Sequence, residues 1–184
     1  RSPFDDLVTL TKRKSGSGCC TVSVSPADIT GNVTLQAIID RYKGKGPVTI
    51  CLQPGVYTLA DTLRLDAAHS KFTITGCPGG AVLQAAAATA PSAAFTDGLI
   101  CVTHADSVKF ESLTFKLPSA LFPFAQYAKV ISASIGLRAM DCTKLTVRGC
   151  TFQFGDAGQS FQFGAGIFGG GICSGWTIDR NLFT

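Results

Sequence analysis

Glu111 and Asp179 are the two carboxylates whose spacing could support acid–base chemistry. Each stands three residues after the first apolar residue of a recurring strand motif, and Arg148 holds the same position in the copy between them. In strands stacked ~4.8 Å apart the carboxylates would lie roughly 10 Å from each other. That is near the upper end of the ~6.5–9.5 Å separation of an inverting glycosidase pair.

The intervening cation argues against that chemistry. Arg148 would favour the charged form of both carboxylates, whereas an acid catalyst needs a raised pKa. The three residues are therefore interpreted as an alternating-charge ladder on the surface, and polysaccharide cleavage through Glu111, Arg148 and Asp179 is kept as the rival hypothesis. No cofactor is predicted.

The histidines and cysteines show no metal-binding spacing. His69 and His104 are the only histidines, no Cys-x-x-C occurs among the eight cysteines, and Cys19 and Cys20 are adjacent. We expect both histidines in turns or on the surface, and most cysteines as buried thiols. The motif register places Cys142 and Cys173 on neighbouring strands, within reach of a disulfide.

Two insertions between the motifs are rich in aromatic residues. One spans 117–134 and the other 152–171, where Phe-Gln-Phe-Gly occurs twice at nine-residue spacing. The aromatic rings either fold back against the strands or form an exposed apolar surface for sugar rings or a partner chain. The residues proposed for such binding are Phe122, Phe124, Tyr127, Phe161 and Phe163.

The strand motif that positions these residues recurs four times. Its first apolar residues are Phe72, Val108, Leu145 and Trp176, at offsets of 36, 37 and 31 residues. Side chains alternate in a strand, so these residues and those two positions on should stack inward. Residues between them, such as Thr73 and Lys109, should point outward.

A second strand keeps the same register upstream. Eight positions before the last three motifs stand the apolar residues Ile100, Leu137 and Phe168. The first copy has Arg64 at that offset, between Leu63 and Leu65, so its connecting segment should differ by one residue. Two further columns are expected across the copies: His69, Ala105, Cys142 and Cys173, and Cys77, Leu113, Cys150 and Asn181.

Composition agrees with one strand-rich domain. The chain has 184 residues, of which 46% are hydrophobic and 15% charged, with 20 glycines and a net charge of +4. No concentrated basic stripe indicates nucleic-acid binding, and no apolar stretch is long enough to span a membrane.

Three segments are distinguished along the chain. Residues 1–18 end in a basic and Gly/Ser-rich run typical of a flexible linker. Residues 19–60 form the lead-in and cap, where Leu35, Ile38, Ile39 and Tyr42 have the spacing of a helix laid on a core. Residues 61–184 carry the repeats, so 19–184 is one domain. The abrupt end at Thr184 predicts a fragment of a longer protein, or an end-to-end contact that covers the last strands.

The stretch Gly46-Pro-Val-Thr-Ile-Cys-Leu-Gln-Pro-Gly-Val-Tyr57, followed by Thr-Ile-Thr-Gly-Cys77, resembles the amino-terminal cap and first coil of the pectate-lyase-like right-handed parallel β-helix superfamily. That superfamily includes polysaccharide lyases, polygalacturonases and phage tailspikes. Gly-Cys-Cys-Thr-Val at 18–22 is also similar to β-helix repeat proteins of phage-tail-like contractile particles. The Gly-His-Gly and Arg-Ile-Lys motifs of polygalacturonases do not occur.

The resemblance implies an all-β, right-handed parallel β-helix with an N-terminal capping helix. We expect a non-catalytic structural or recognition module of a larger extracellular or particle-borne assembly, which contacts a partner protein or a polysaccharide through its loops. The alternatives are a polysaccharide lyase or glycoside hydrolase, and a passive spacer. A cytosolic assembly is a further alternative for the compartment.

Overall fold

The computed structural model describes residues 19–86, 94–117, 124–126, 129–131, 133–154 and 163–184. The described residues form mainly β-strands, with one short α-helix, α1 (Leu35–Asp40), and two 3-10 helices, Pro26–Asp28 and Ala67–His69. The proposed linker 1–18 lies outside the described residues.

Three parallel sheets contain all but two of the described strands, and each sheet is defined by its strands in spatial order. Sheet A comprises β1 (Val22–Val24), β2 (Val48–Leu52), β5 (Phe72–Gly76), β8 (Lys109–Glu111), β13 (Thr146–Arg148) and β16 (Thr177–Asp179). Sheet B comprises β3 (Gly55–Leu59), β6 (Ala81–Ala85), β9 (Leu113–Lys116), β14 (Thr151–Gln153) and β17 (Leu182–Phe183). Sheet C comprises β4 (Leu63–Leu65), β7 (Ile100–Thr103), β12 (Ala133–Met140) and β15 (Phe163–Gly170). β10 (Phe124–Gln126) and β11 (Lys129–Ile131) form an antiparallel pair.

The chain visits the sheets in the order A, B, C and then returns to A. We call one strand from each sheet, taken in that order, a unit. Each strand pairs with the equivalent strand of the next unit; in sheet A, for example, Ile74 pairs with Phe110 and Phe110 with Val147. The predicted register of the four motifs is therefore confirmed.

Sheet A extends two strands further upstream than the four motifs. Val22 pairs with Ile50, and Ile50 with Ile74, so β1 and β2 repeat the same inward position. The inward residues of sheet A are almost wholly buried from Val22 to Val147.

Two details of the predicted register are wrong. Ile167, not Phe168, pairs with Leu137, because the connection from sheet C to Trp176 is one residue longer in the last unit. Ala81, not Cys77, pairs with Leu113, because Cys77 lies in the turn before β6. The expected one-residue difference in the first unit is confirmed, since Leu63 pairs with Ile100.

The corners between sheets repeat a left-handed backbone conformation. It occurs at three places in the units: before the sheet A strands, after the sheet C strands, and between the strands of sheets A and B. At each place some of the residues that adopt it are not glycine. The first set is Lys71, Ser107, Lys144 and Gly175, the second His104, Asp141 and Gly171, and the third Ser112, Gly149 and Arg180. Left-handed conformations cost non-glycine residues about 1–2 kcal/mol, so their recurrence shows that stacking fixes the corners.

An aromatic file lies inside sheet B. The rings of Phe115 and Phe152 stack at 4.7 Å between centroids, and those of Phe152 and Phe183 at 5.1 Å. Gly136 of sheet C makes room for them, because a Cβ atom there would lie 2.8 Å from Phe152 Cδ1.

The predicted helix is confirmed as α1. Leu35, Ile38 and Ile39 are buried, and Tyr42 packs against the same core. The Thr34 hydroxyl accepts a hydrogen bond from the Ala37 N–H, a common way to satisfy a helix N-terminus. Between β1 and β2 the chain forms no strand of sheet B or sheet C. Instead α1 lies beside β4, where a further strand of sheet C would pair.

Candidate functional site

The predicted ladder of Glu111, Arg148 and Asp179 is present on the outer face of sheet A. Arg148 pairs with Glu111 on one side and with Asp179 on the other. Asp179 Oδ2 lies 3.3 Å from Arg148 Nε and 3.0 Å from Arg180 Nε. Two guanidinium groups thus share this carboxylate, which suits an ion-pair ladder better than an acid catalyst.

The predicted aromatic binding residues fall largely beyond the described part of the chain. Phe122, Tyr127 and Phe161 lie outside the described residues, as do the side chains of Phe124 and Phe163, whose backbones begin β10 and β15.

The predicted Cys142–Cys173 disulfide is wrong. A bridge between Thr143 and Ser174 places the two cysteines next to each other as expected, but both are free thiols. Their sulfur atoms instead contact backbone carbonyls: Cys142 Sγ that of Met140, and Cys173 Sγ that of Gly170.

The disulfide that forms joins Cys20 to Cys51, with their Cα atoms 5.8 Å apart. It ties the lead-in of β1 to β2. An alignment of the motifs that begins at Phe72 leaves out both strands, so it gives no signal for this pair. Cys51 was expected as a buried thiol; it is buried, but oxidised.

Three other thiols are buried as expected. Cys101, Cys142 and Cys150 are each almost fully enclosed, and burial is the main cause that raises the pKa of each thiol. For Cys150 the pKa rises from 9.0 to about 11.

We expect the protein to lose stability as the pH rises from 9 to 11. Over that interval the unfolded chain has lost the Cys150 proton that the folded protein keeps, so deprotonation favours unfolding. The loss attributable to Cys150 is on the order of 2–3 kcal/mol. Urea titrations across the interval should show a smaller loss in Cys150→Ala and an unchanged loss in Cys173→Ala. Identical profiles for wild type and Cys150→Ala would contradict this assignment.

A groove of about 650 Å³ lies beside α1 and was not anticipated from the sequence. Its walls come from the segment before α1, from α1 itself and from the edge of the first complete unit. Its lining residues are Ile29, Gly31, Val33, Thr34, Leu35, Gln36, Asp40, Lys43, Thr58, Leu59, Ala60, Asp61, Thr62, Leu63, Arg64 and Asp66. The lining thus combines aliphatic side chains with three carboxylates and two cations.

A buried histidine fixes one end of this groove. His69 is fully buried. Its Nε2 lies 3.1 Å from Asp40 Oδ1, at the end of α1, and its Nδ1 lies 2.9 Å from the Asp66 N–H. The Phe72 ring packs edge-on against the imidazole at 5.2 Å. The expectation of a turn residue holds for His69, but not that of a surface position.

Lys43 completes the cluster. Its Nζ lies 3.3 Å from Asp40 Oδ1 and 3.4 Å from Asp66 Oδ2. Partial burial alone would raise the pKa of Asp66, but the Ala68 N–H, His69 and Lys43 together lower it below its usual value. The cluster connects α1 to the corner that follows β4.

His69→Ala should lower the free energy of unfolding by about 2–3 kcal/mol. The change removes the imidazole hydrogen bonds and leaves a cavity under α1. The matched control is His104→Asn, since His104 is exposed and asparagine tolerates its left-handed backbone. The control should stay within about 0.5 kcal/mol of wild type, and equal losses in the two variants would rule out the proposed anchoring role.

Gln36 covers the edge of β4 with its side-chain amide. Gln36 Nε2 donates to the Arg64 carbonyl at 2.9 Å, and Gln36 Oε1 accepts from the Arg64 N–H at 2.7 Å. The amide thus makes both bonds that a neighbouring strand would make at Arg64.

A second charged cluster lies on the outer face of sheet C. Asp97 forms ion pairs with both Arg64 and Arg138. These arginines belong to the units before and after the one that contains Cys101. These three charged side chains lie beside Cys101, a residue that is only 4% exposed. This arrangement connects three successive units on one face.

Within the described residues no group of three or more His, Cys, Asp or Glu side chains could hold a metal ion. No helix in that part of the chain has the length and apolar character needed to cross a bilayer. No family model, curated protein or solved structure matches this chain.

Proposed function

We propose that the units wind as one right-handed parallel β-helix spanning residues 19–184. The strand order supports this, because from β2 onward every third strand, the β10–β11 pair left aside, joins the same parallel sheet. The recurring left-handed corners support it as well, since they turn the chain in the same place in each unit. The right hand follows from the general preference of crossovers between parallel strands.

The proposed function is that of a non-catalytic structural and recognition module within a larger assembly. The observation that carries it is the unequal length of the corners. Ser112 alone separates β8 from β9, whereas the connections from sheet B to sheet C span 86–99, 117–132 and 154–162. Long connections on a regular scaffold are where binding residues concentrate.

These connections contain most of the aromatic residues assigned to binding. Phe122, Phe124 and Tyr127 belong to the connection 117–132, and Phe161 to 154–162. The repeating units would therefore carry successive loops along one ridge, where they can contact a polysaccharide or a partner protein. The Cys20–Cys51 disulfide favours an extracellular location, because structural disulfides persist in oxidising compartments.

Binding and cleavage are tested with one panel of acidic and neutral polysaccharides. We expect the wild type to bind a member of the panel without shortening it, and a Phe122→Ser, Phe124→Ser, Tyr127→Ser triple variant to bind at least about tenfold more weakly. Chain shortening that disappears in Glu111→Gln would establish the enzyme instead. Absence of binding to the panel and to a glycan array would favour a passive spacer.

A further inference from the structure

The end of β3 contributes Thr58 and Leu59 to the lining of the groove beside α1. β3 is the end strand of sheet B. Its Gly55 N–H bonds to Gly80 and its Leu59 carbonyl to Ala86, both on the β6 side. Because successive residues of a strand direct their backbone groups to opposite sides, those of Val56 and Thr58 face away from β6. These groups have no backbone partner among the described residues.

The groove begins at the end of β3, beside Thr58, where a preceding strand of sheet B would pair. After β1 the chain forms the 3-10 helix Pro26–Asp28 and the segment to Thr34, and neither adds a strand to β3. Pro26 packs against Gly55 at the place where a side chain would lie. Beyond it Val56 is 49% exposed, and Thr58 and Ala60 are also exposed. The end of β3 is thus accessible from the groove at Thr58.

The charge of the groove selects among extended peptides. Asp40, Asp61 and Asp66 line it, against Lys43 and Arg64. Lys43 already pairs with Asp40 and Asp66, and Arg64 with Asp97 outside the groove. Asp61, two residues beyond the end of β3, accepts a hydrogen bond from the Thr62 N–H. The remaining charge is therefore negative and complements a basic side chain.

We propose that the groove binds an extended, basic peptide segment of a partner protein, which adds a strand to the free edge of β3. Backbone bonds to Thr58, which lines the groove, and to Val56, which lies just beyond it, supply the pairing, as in other cases of strand addition. Aliphatic side chains of the peptide face Leu59 and Leu63, and a lysine or arginine reaches Asp61. This surface is separate from the loops proposed above, and its test uses different residues.

The probe is a blocked synthetic peptide in which valine and lysine alternate, titrated against the full chain at low salt. It should bind, and the matching valine–glutamate peptide should bind at least about tenfold more weakly. Two N-methylated versions of the probe distinguish strand addition from charge attraction. In a strand all valine N–H groups point to one side and all lysine N–H groups to the other. Methylation of one set should therefore weaken binding about tenfold and methylation of the other should not.

Variants of the protein test the same contacts. Thr58→Pro removes an N–H that faces the groove while the bonds to β6 remain, and proline is tolerated in this way on edge strands. Thr58→Pro and Asp61→Asn should each weaken binding several-fold, with unchanged circular dichroism, and Asp179→Asn should bind like the wild type. Equal affinities for the two methylated probes, unchanged binding by Thr58→Pro and Asp61→Asn, or no binding of the probe by the wild type would each overturn the proposal. None of these outcomes bears on the polysaccharide panel.

Discussion

Phe152→Ala should lower the free energy of unfolding by about 3–5 kcal/mol, as large a loss as a single core truncation is expected to cause. Phe152 is fully buried at the centre of the aromatic file, stacked between Phe115 and Phe183. Its removal leaves a cavity that the paired strands on both sides cannot close by moving. Urea unfolding followed by circular dichroism measures the loss.

The matched control is Phe154→Ala, two residues further along the same chain segment. Phe154 is 37% exposed, so its truncation should cost about 1 kcal/mol or less. The contrast between the two variants is the test, because both delete the same atoms. Similar losses would show that the file does not stabilise the protein as inferred.

Gly76→Ala should also cause a large loss, of about 3 kcal/mol. A Cβ atom at Gly76 would lie 2.1 Å from the Ser112 carbonyl oxygen and 3.1 Å from its carbon. Those atoms belong to the backbone of the corner in the next unit, so the clash cannot be relieved by a change of rotamer. The same unfolding measurement applies, and a loss below about 1 kcal/mol would show that neighbouring corners can separate.

Gly149→Ala separates steric contact from backbone strain. Gly149 occupies a left-handed corner at φ +60°, and a Cβ atom there meets only Ser112 Oγ, at 3.9 Å. Its replacement should cost about 1 kcal/mol through strain alone. A larger loss of stability in Gly76→Ala than in Gly149→Ala would show that contact between units outweighs local backbone conformation at these corners.

The sequence was informative wherever side chains alternate over a buried face. The pairing of Thr73 with Lys109, and of Arg148 with Glu111 and Asp179, follows from inward apolar residues that recur at nearly constant spacing. A register shift by one residue would expose the apolar side chains, so alternation specifies pairing strongly. The strands of sheet A could therefore be placed before their connections were known.

The connections themselves were less predictable. One additional residue before Trp176 moved Ile167 into the position assigned to Phe168, and adjacent apolar residues gave no basis to choose between them. β1 and β2 were missed as copies because their spacing along the chain is shorter than that of the four motifs.

The groove could not be predicted because it depends on an element that replaces a strand. Asp40 and His69 lie 29 residues apart and meet only because α1 packs over the first unit. Asp40 belongs to no recurring position, and the column that contains His69 holds no charged residue in its other copies that would indicate a partner on α1. The same holds for Gln36 and Arg64, whose pairing substitutes for backbone that is absent.

That amide has a consequence for how far sheet C can extend beyond β4. An uncapped strand is a template, and a stack of identical turns has no intrinsic length at which to stop. The Gln36 side chain bonds both the N–H and the carbonyl of Arg64, and it presents no strand backbone with which another strand could pair. One carboxamide thereby opposes the addition of a strand from another copy to this edge of sheet C.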